Sequence, residues 1–244
     1  MTKNIFWLFA LAVALFSCSP DGQETVNTTT AGPGEVQGYK KSALSPSNPA
    51  NPFDQAGLLH NQLLDSYPIT KLPNPSLSFF YNTLEELALQ DNAFLSLAPG
   101  GYLPVSPEQA NSIGTTTLGQ ALSYTTLSAA SRTSLENLVN TIVAFDYEHR
   151  GYNEIYGPIV AYESTILASS LAPQELNVIL TITAIARYAA FAQSTGKGKG
   201  KGKDKDWRLS MGNITAAAYG ARESGAKAII LSLASGLFET SNAE

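Results

Sequence analysis

The sequence predicts an all-α protein: a helical bundle of about six or seven helices that follows a disordered N-terminal tether. Apolar residues recur at helical spacing through most of the chain after residue 50, and Asn-Pro or Ser-Pro pairs precede several of these stretches. No stretch alternates apolar and polar residues with the period of two that a half-buried strand requires. Because 44% of the 244 residues are hydrophobic, the chain has enough apolar side chains to form a core.

The overall charge narrows the class of partner. Only 14% of the residues are charged, and the formal net charge is -5. Binding to nucleic acid generally needs clustered lysine and arginine to neutralise phosphates, so we expect no specific nucleic-acid partner. The single cysteine, Cys18, excludes an intramolecular disulfide.

Residues 1–17 have the pattern of a signal peptide. Lys3 supplies a positive start, and an uninterrupted apolar run follows from Ile5 to Phe16. A helix over this run rises only about 18 Å, which is too short to cross a hydrocarbon core of about 30 Å. The segment is therefore expected to be an export signal and not a membrane span.

The end of this run resembles the bacterial lipobox. It reads Leu15-Phe16-Ser17-Cys18, with a small residue directly before the cysteine. The resemblance implies that Cys18 is diacylated on its sulfur, becomes the mature N-terminus and anchors the protein stably in a membrane. Because Ser19 and not aspartate follows, it also implies the outer membrane of a Gram-negative cell envelope, on the periplasmic or the surface face. The alternative is an ordinary secretory signal that contains a cysteine.

The segment from Cys18 to Ala50 is expected to be a flexible linker that joins the lipidated cysteine to the body. It is rich in Thr, Ser, Pro, Gly and Asn and holds few residues that could enter a core. Such a composition is typical of a spacer that lets a folded domain stand away from the membrane. The alternative is an arm that docks in part on the domain.

The helical domain is predicted to span residues 51–244, and its first three helices begin at start signals that contain proline. Asn51-Pro52 predicts the first start, with asparagine as N-cap and proline at the first helical position. Asn74-Pro75 repeats this signal. Ser106-Pro107 predicts the third start, with Gln109 placed for a capping box.

The second half of the domain is predicted to hold longer helices. One is expected over Ser131–Phe145, and Gly157-Pro158 is expected to break the chain before another over Ile159–Ala168. The stretch Pro173–Gln193 is apolar on nearly every side, so we expect it at the centre of the bundle. The last helix, Asn213–Phe238, is rich in Gly and Ala, which predicts tight docking in the bundle; the alternative is membrane insertion or oligomerisation.

A basic Gly-Lys loop is expected at residues 196–206, between the last two helices. It alternates glycine with lysine and has no apolar side chain to dock, so order is not expected without a ligand. One interpretation is a mobile contact site for anionic lipid or glycan; the other is a solvated loop that only keeps the chain soluble. Trp207 is expected to fix the chain back onto the bundle. The candidate anion contacts are Lys197, Lys199, Lys201, Lys203 and Lys205.

Three segments resemble parts of uncharacterised exported lipoproteins of Bacteroidota. Asn51–Asp65 reads NPFDQAGLLHNQLLD, and the corresponding segment of those proteins reads roughly NP(F/Y)D..G.LHN..LD. Ile182–Tyr188 is also similar, and so is Trp207 followed by the Gly/Ala-rich stretch Ala216–Gly236. The resemblance implies an exported helical protein and supplies no mechanism.

The chemistry-bearing residues are few. The chain has only two histidines, His60 and His149. If His60 met the polar segment Asp146–Glu154 in space, the two histidines with Asp146 and Glu148 could bind a metal or act in acid–base catalysis. The alternative is that His149 and Arg150 complement a helix C-terminus, with Gly151 as its cap.

The function expected from the sequence is that of an anchored lipoprotein that acts as a binding or scaffolding module. No zinc site is expected, because such sites need three or four His, Cys or carboxylate ligands and the only cysteine is committed to lipid. No phosphate-binding glycine loop follows a strand, so no cofactor is expected either. The alternative is a hydrolase or metal-dependent enzyme that uses the candidate residues His60, Asp146, Glu148 and His149.

Overall fold

The structure, a computed structural model, describes residues 45–68, 75–196 and 207–242, and in those ranges helices are joined by turns and loops with no strand. The predicted all-α bundle is confirmed. The signal peptide, Cys18 and the linker up to residue 44 lie outside the described residues, as do the lysines of the Gly-Lys loop. The helices are α1 (Asp54–Ser66), α2 (Leu77–Ala88), α3 (Asn92–Ser96), α4 (Pro107–Ile113), α5 (Leu118–Ser123), α6 (Ala129–Tyr147), α7 (Tyr152–Leu167), α8 (Pro173–Ser194), α9 (Met211–Ala221) and α10 (Gly225–Asn242).

These ten helices exceed the predicted six or seven for two reasons. The helices α3 and α5 have only five and six residues, too few for an apolar period to show in the sequence. The predicted last helix is two helices that fold back on each other at residues 222–224. Gly220 permits this hairpin, because a Cβ on it would lie 2.6 Å from the backbone nitrogen of Ala228.

Of the three predicted start signals, only the one at Ser106-Pro107 holds as predicted. Helix α2 begins at Leu77, with Ser76 and not Asn74 as its N-cap. Ser106 accepts a hydrogen bond from the backbone of Gln109 at the start of α4, and the Gln109 side chain completes the capping box. The start of α1 differs, since the helix begins at Asp54 and not at Pro52. The Asn51 side chain accepts a hydrogen bond from the backbone N–H of Phe53 in the turn before the helix.

The break expected at Gly157-Pro158 is wrong. Helix α7 runs without interruption from Tyr152 to Leu167, with Pro158 inside it. A proline in a helix removes one hydrogen bond and crowds the Cβ of the preceding residue. Here that residue is Gly157, which has no Cβ and lies at an exposed position, so the crowding is relieved.

Helix α8 occupies the centre of the bundle, as the sequence predicts. Every residue from Val178 to Ala190 is buried, and α8 packs against α1, α7, α9 and α10. Among the described helices, α8 is the one long and apolar enough to cross a membrane, and 78% of its apolar window is buried inside the protein. Burial on all sides explains why the helix has no polar face.

The last part of the predicted flexible linker is docked on this core. Residues 45–50 are described and contact the bundle, and the side chain of Asn48 is only 7% exposed. The linker was expected to extend to Ala50, so this boundary is corrected: at least from residue 45 the chain is part of the folded body. The composition did not reveal this docking because side-chain hydrogen bonds, and not apolar side chains, hold the segment on the bundle.

Candidate functional site

A buried charge network joins residues 45–54 to α7 and α8, and we call it the Arg187 network. The Arg187 side chain is fully buried. Its guanidinium Nη2 lies 2.7 Å from Asp54 Oδ1 and 3.3 Å from Glu163 Oε1, and its Nη1 donates to the backbone carbonyl of Pro46. One cation therefore faces two carboxylates from different helices.

Both oxygen atoms of Glu163 also accept hydrogen bonds from neutral donors. Asn48 Nδ2 donates to Glu163 Oε2 at 2.6 Å, and Asn51 Nδ2 donates to Oε1 at 2.8 Å. Thr183 Oγ1 donates to the same Oε1 at 2.9 Å. A fully buried carboxylate is tolerated when it is paired and hydrogen-bonded in this way. Asn48 and Asn51 thus fix the incoming chain to the centre of the fold.

The electrostatics of Arg187 follow from its neighbours. Burial lowers the pKa of the guanidinium, but the charges of Glu163 and Asp54 outweigh that effect and raise the pKa overall. Tyr188 donates from its hydroxyl to Asp54 Oδ2 at 3.1 Å. Burial and the adjacent Asp54 carboxylate raise the pKa of Tyr188 to about 12, so its hydroxyl stays protonated and available as a donor at neutral pH.

Three segments that are far apart in the sequence, Asn51–Asp65, Ile182–Tyr188 and the stretch that begins at Trp207, meet on α8 beside this network. The first contributes Asp54 and Asn61, whose Nδ2 donates to the backbone carbonyl of Tyr188 at 3.0 Å. The second contributes Arg187 and Tyr188. The third contributes Trp207, whose Nε1 donates to the Ala189 carbonyl at 3.2 Å. Residues far apart in the sequence therefore build one cluster on α8.

The placement of Trp207 confirms that it fixes the chain after the Gly-Lys loop. Its indole is 3% exposed and packs on α10, where a Cβ on Gly236 would lie 2.5 Å from the ring. The ring of His60 meets it edge-on, with ring centroids 5.3 Å apart. The tryptophan therefore links α1, α8 and α10.

His60 is fully buried beside this indole. Its Nδ1 lies 3.1 Å from Asn61 Oδ1, which can only accept, so Nδ1 carries the proton and Nε2 has no hydrogen-bond partner among the described residues. Burial lowers the pKa of His60 to about 4, although the Asn61 hydrogen bond raises it in part. The imidazole is therefore neutral at pH 7, with a hydrogen bond to Asn61 and a ring contact with Trp207.

The other candidate catalytic residues lie at the end of α6. His149 and Glu148 are exposed, and Glu148 pairs with Arg150 at 2.7 Å. Asp146 is buried and accepts a hydrogen bond from Gln193; burial raises the pKa of its carboxyl, an effect that Gln193 partly opposes. Among the described residues, none of these side chains forms a hydrogen bond, ion pair or ring contact with His60, and no group of three His, Cys, Asp or Glu could hold a metal.

Helix α6 does end in this segment, as the alternative interpretation predicted. The residue with the left-handed conformation that ends it lies two positions before the predicted Gly151. His149 itself takes the left-handed conformation, with φ of 56°. The backbone N–H of Arg150 then bonds to the carbonyl of Phe145, as in a helix C-terminal motif. Gly151, which was expected to cap α6, is instead the N-cap of α7.

A concave site lies elsewhere, between α6, α9 and α10, and we call it the α9–α10 cleft. Its volume is about 580 Å³. It is bounded by the start of α2, the turn from Ile113 to Gly119, one face of α6, the first turns of α9 and the end of α10. Its apolar lining includes Leu118, Met211 and Phe238. A volume of this size suits a small organic ligand.

The polar lining of the cleft is acidic. Glu136 and Glu239 both line it, and no lysine or arginine does so among the described residues. Glu239 accepts a hydrogen bond from the Ser210 hydroxyl at 2.6 Å, whereas Glu136 has no hydrogen bond or ion pair within the described ranges. The sequence did not single out these glutamates, because neither stands in a motif and the helices that carry them meet only in the fold.

Comparison with known proteins gives no relative to transfer a function from. No protein-family model matches the chain, and no significant match was found among curated proteins or solved structures.

Proposed function

We propose that the protein is an outer-membrane lipoprotein, anchored through Cys18, whose helical body binds a small ligand in the α9–α10 cleft. The observation that carries the binding role is the cleft itself. It combines an apolar wall with Glu136, a carboxylate that no described residue neutralises. A concave, mostly apolar site with a few placed polar groups is the usual form of a small-molecule site.

The Arg187 network supports the anchoring role because it holds the start of the folded body firmly where the chain from the proposed anchor enters. Residues 45–54 enter the fold at the face of α7 and α8, where Asn48, Asn51 and Asp54 are held by buried charges. The chain between Cys18 and residue 44 is then left as the tether. The network and the cleft use different residues, so anchoring and ligand binding are separable by mutation.

Anchoring is tested by fractionating cells that express the protein or its Cys18→Ala variant. The wild type should sediment with outer membranes, and inhibition of lipoprotein signal peptidase should cause its precursor to accumulate. The Cys18→Ala variant should leave the membrane fraction. A variant that still sediments with membranes would disprove the lipid anchor.

Ligand binding is tested by a thermal-shift screen of small metabolites against wild type and a variant with a filled cleft. Gly119→Leu is suitable, since a Cβ on Gly119 would lie 3.4 Å from the Glu136 carboxylate and the longer side chain would extend within the cleft. Asn137→Leu is the matched control, because Asn137 is the exposed neighbour of Glu136 and does not line the cleft. A ligand that stabilises wild type and Asn137→Leu but not Gly119→Leu supports the proposal; ligands that stabilise all three equally contradict it.

A further inference from the structure

The α9–α10 cleft also indicates which class of ligand it takes, an inference that rests on the proposed binding function. We propose that it binds a small organic cation, an amine or guanidine on an apolar body, with Glu136 as the principal charged contact. Three features of the cleft indicate this class: uncompensated negative charge, hydroxyl groups without partners, and an apolar wall.

The charge of the cleft comes from Glu136 and Glu239 together. The Glu136 carboxylate lies against Gly119 in the first turn of α5, and the Glu239 carboxylate lies against Gly212 in the first turn of α9. A helix N-terminus carries a partial positive charge of about half an elementary charge, so it offsets only part of each carboxylate. Two negative charges facing one cleft without a cation favour a positively charged ligand.

Two hydroxyl groups on largely buried residues give an independent indication. Thr215 and Ser235 line the cleft and are only 4% and 7% exposed. Neither side chain forms a hydrogen bond with another described residue. Neither hydroxyl oxygen is among the fully buried atoms that lack a partner, so both oxygens keep accessible surface and are free to bond to a ligand or to water in the cleft. Hydroxyl oxygens can accept from ammonium or guanidinium N–H groups, which matches the class that Glu136 selects.

The apolar wall indicates that the ligand carries a hydrocarbon part next to its positive charge. Leu118, Met211 and Phe238 line the same cleft, and Phe238 and Met211 are partly buried. A fully hydrated inorganic cation would gain nothing from these side chains. An alkyl or aromatic amine would bury its hydrocarbon against them and place its charge at Glu136.

The test uses three probes of nearly equal shape, phenylbutylamine, phenylbutanol and phenylbutyrate, which are cationic, neutral and anionic. The chain has two methionines, Met1 and Met211, and Met211 lines the cleft. In full-length protein labelled with ¹³C on the methionine methyl groups and held in zwitterionic nanodiscs, the Met211→Leu variant assigns the cleft signal. We expect the amine to shift this signal saturably and more tightly than the alcohol or the acid.

Two variants that each remove one carboxylate charge test the role of Glu136. Glu136→Gln should weaken amine binding about tenfold or more, because a charge-assisted hydrogen bond is lost. Glu86→Gln is the control, since Glu86 is exposed on α2 and does not line the cleft; it should leave the affinity unchanged. Ser235→Ala should weaken the amine by a smaller factor, and the wild-type affinity should fall as salt rises.

The outcomes separate this inference from the function on which it rests. If the alcohol or the acid binds at Met211 as tightly as the amine, the cation class is overturned while the cleft remains a binding site. If the amine binds but Glu136→Gln has no effect, the assignment of Glu136 is overturned. If no probe moves the Met211 signal, the organic-cation inference is overturned, and the metabolite screen with Gly119→Leu still tests the binding role.

Discussion

The Arg187 guanidinium and the Asp54 carboxylate lie 2.7 Å apart, although 133 residues separate them in the sequence. Asp54 is the first residue of α1, and Arg187 lies near the end of the central helix α8. This contact fixes the start of the helical domain to its core. It also places the last residues of the tether, from residue 45, inside the folded body.

Removal of Arg187 should strongly destabilise the protein. Arg187→Met leaves Glu163 buried without its cation, and loss of one partner of a buried ion pair costs about 3–5 kcal/mol in the free energy of unfolding. Chemical denaturation followed by circular dichroism measures the loss. The control is Arg150→Met, which removes a partly exposed pair with Glu148 and should cost less than about 1 kcal/mol. Equal effects of the two substitutions would show that the network does not stabilise the fold.

A methyl group at Gly57 should be poorly tolerated. A Cβ there would lie 2.3 Å from the Tyr188 ring and 2.6 Å from the Ala184 carbonyl oxygen, which is backbone and cannot rotate away. Gly57→Ala should therefore lower the free energy of unfolding by about 1–3 kcal/mol. Gly114→Ala is the matched control, because Gly114 has a negative φ of -63° and its Cβ would meet nothing closer than 3.9 Å. A neutral Gly57→Ala would contradict the close packing of α1 on α8.

The buried His60 should make stability fall in mild acid. Its pKa is about 4 in the folded protein and 6.5 when unfolded, so between these values the unfolded chain binds the extra proton. Stability is therefore lost as pH falls from 6.5 to about 4, by roughly 3 kcal/mol in total. His60→Gln should reduce this slope in denaturation curves recorded across that range, whereas His149→Gln, at an exposed position, should not. An unchanged slope in His60→Gln would mean that His60 is not buried as a neutral imidazole.

Any anionic partner is expected to contact the lysines of the Gly-Lys loop, which remains a prediction from the sequence. Deletion of Gly198–Lys203 should reduce binding to phosphatidylglycerol vesicles, and binding of the full chain should weaken as salt rises. Vesicle co-sedimentation of the unlipidated Cys18→Ala chain measures this without the anchor. If the deletion leaves vesicle binding unchanged and insensitive to salt, the loop is only a solubilising spacer.

The sequence predicted the fold class and the central helix because these depend on local patterns. The apolar period of α8 and the capping box at Ser106 and Gln109 are properties of neighbouring residues. The break inside α7 was misjudged because Pro158 follows Gly157, whose lack of a Cβ relieves the crowding. The α9–α10 hairpin was missed because glycine and alanine stand on both sides of its short turn, so the two helices read as one small-residue stretch.

The candidate sites were harder to predict from the sequence than the fold class was. Arg187 and Asp54 stand in segments that the resemblance marked, but their partner Glu163 was signalled only by a lone carboxylate within an apolar stretch. His60 and His149 were paired as candidates only because histidine is a common catalytic residue. The structure places His60 in the core and His149 at the surface. The cleft is built by five separate segments of the chain, so no local sequence pattern could predict it.

Ligand binding in the α9–α10 cleft is tested by mass spectrometry of the small molecules released when protein purified from membranes of expressing cells is denatured. Wild type and the control Asn137→Leu should release the same compound in near-stoichiometric amount. The variant with a filled cleft, Gly119→Leu, should be equally folded by circular dichroism and release none. If Gly119→Leu releases that compound in the same amount as wild type, the α9–α10 cleft is not the binding site and the proposed function is wrong.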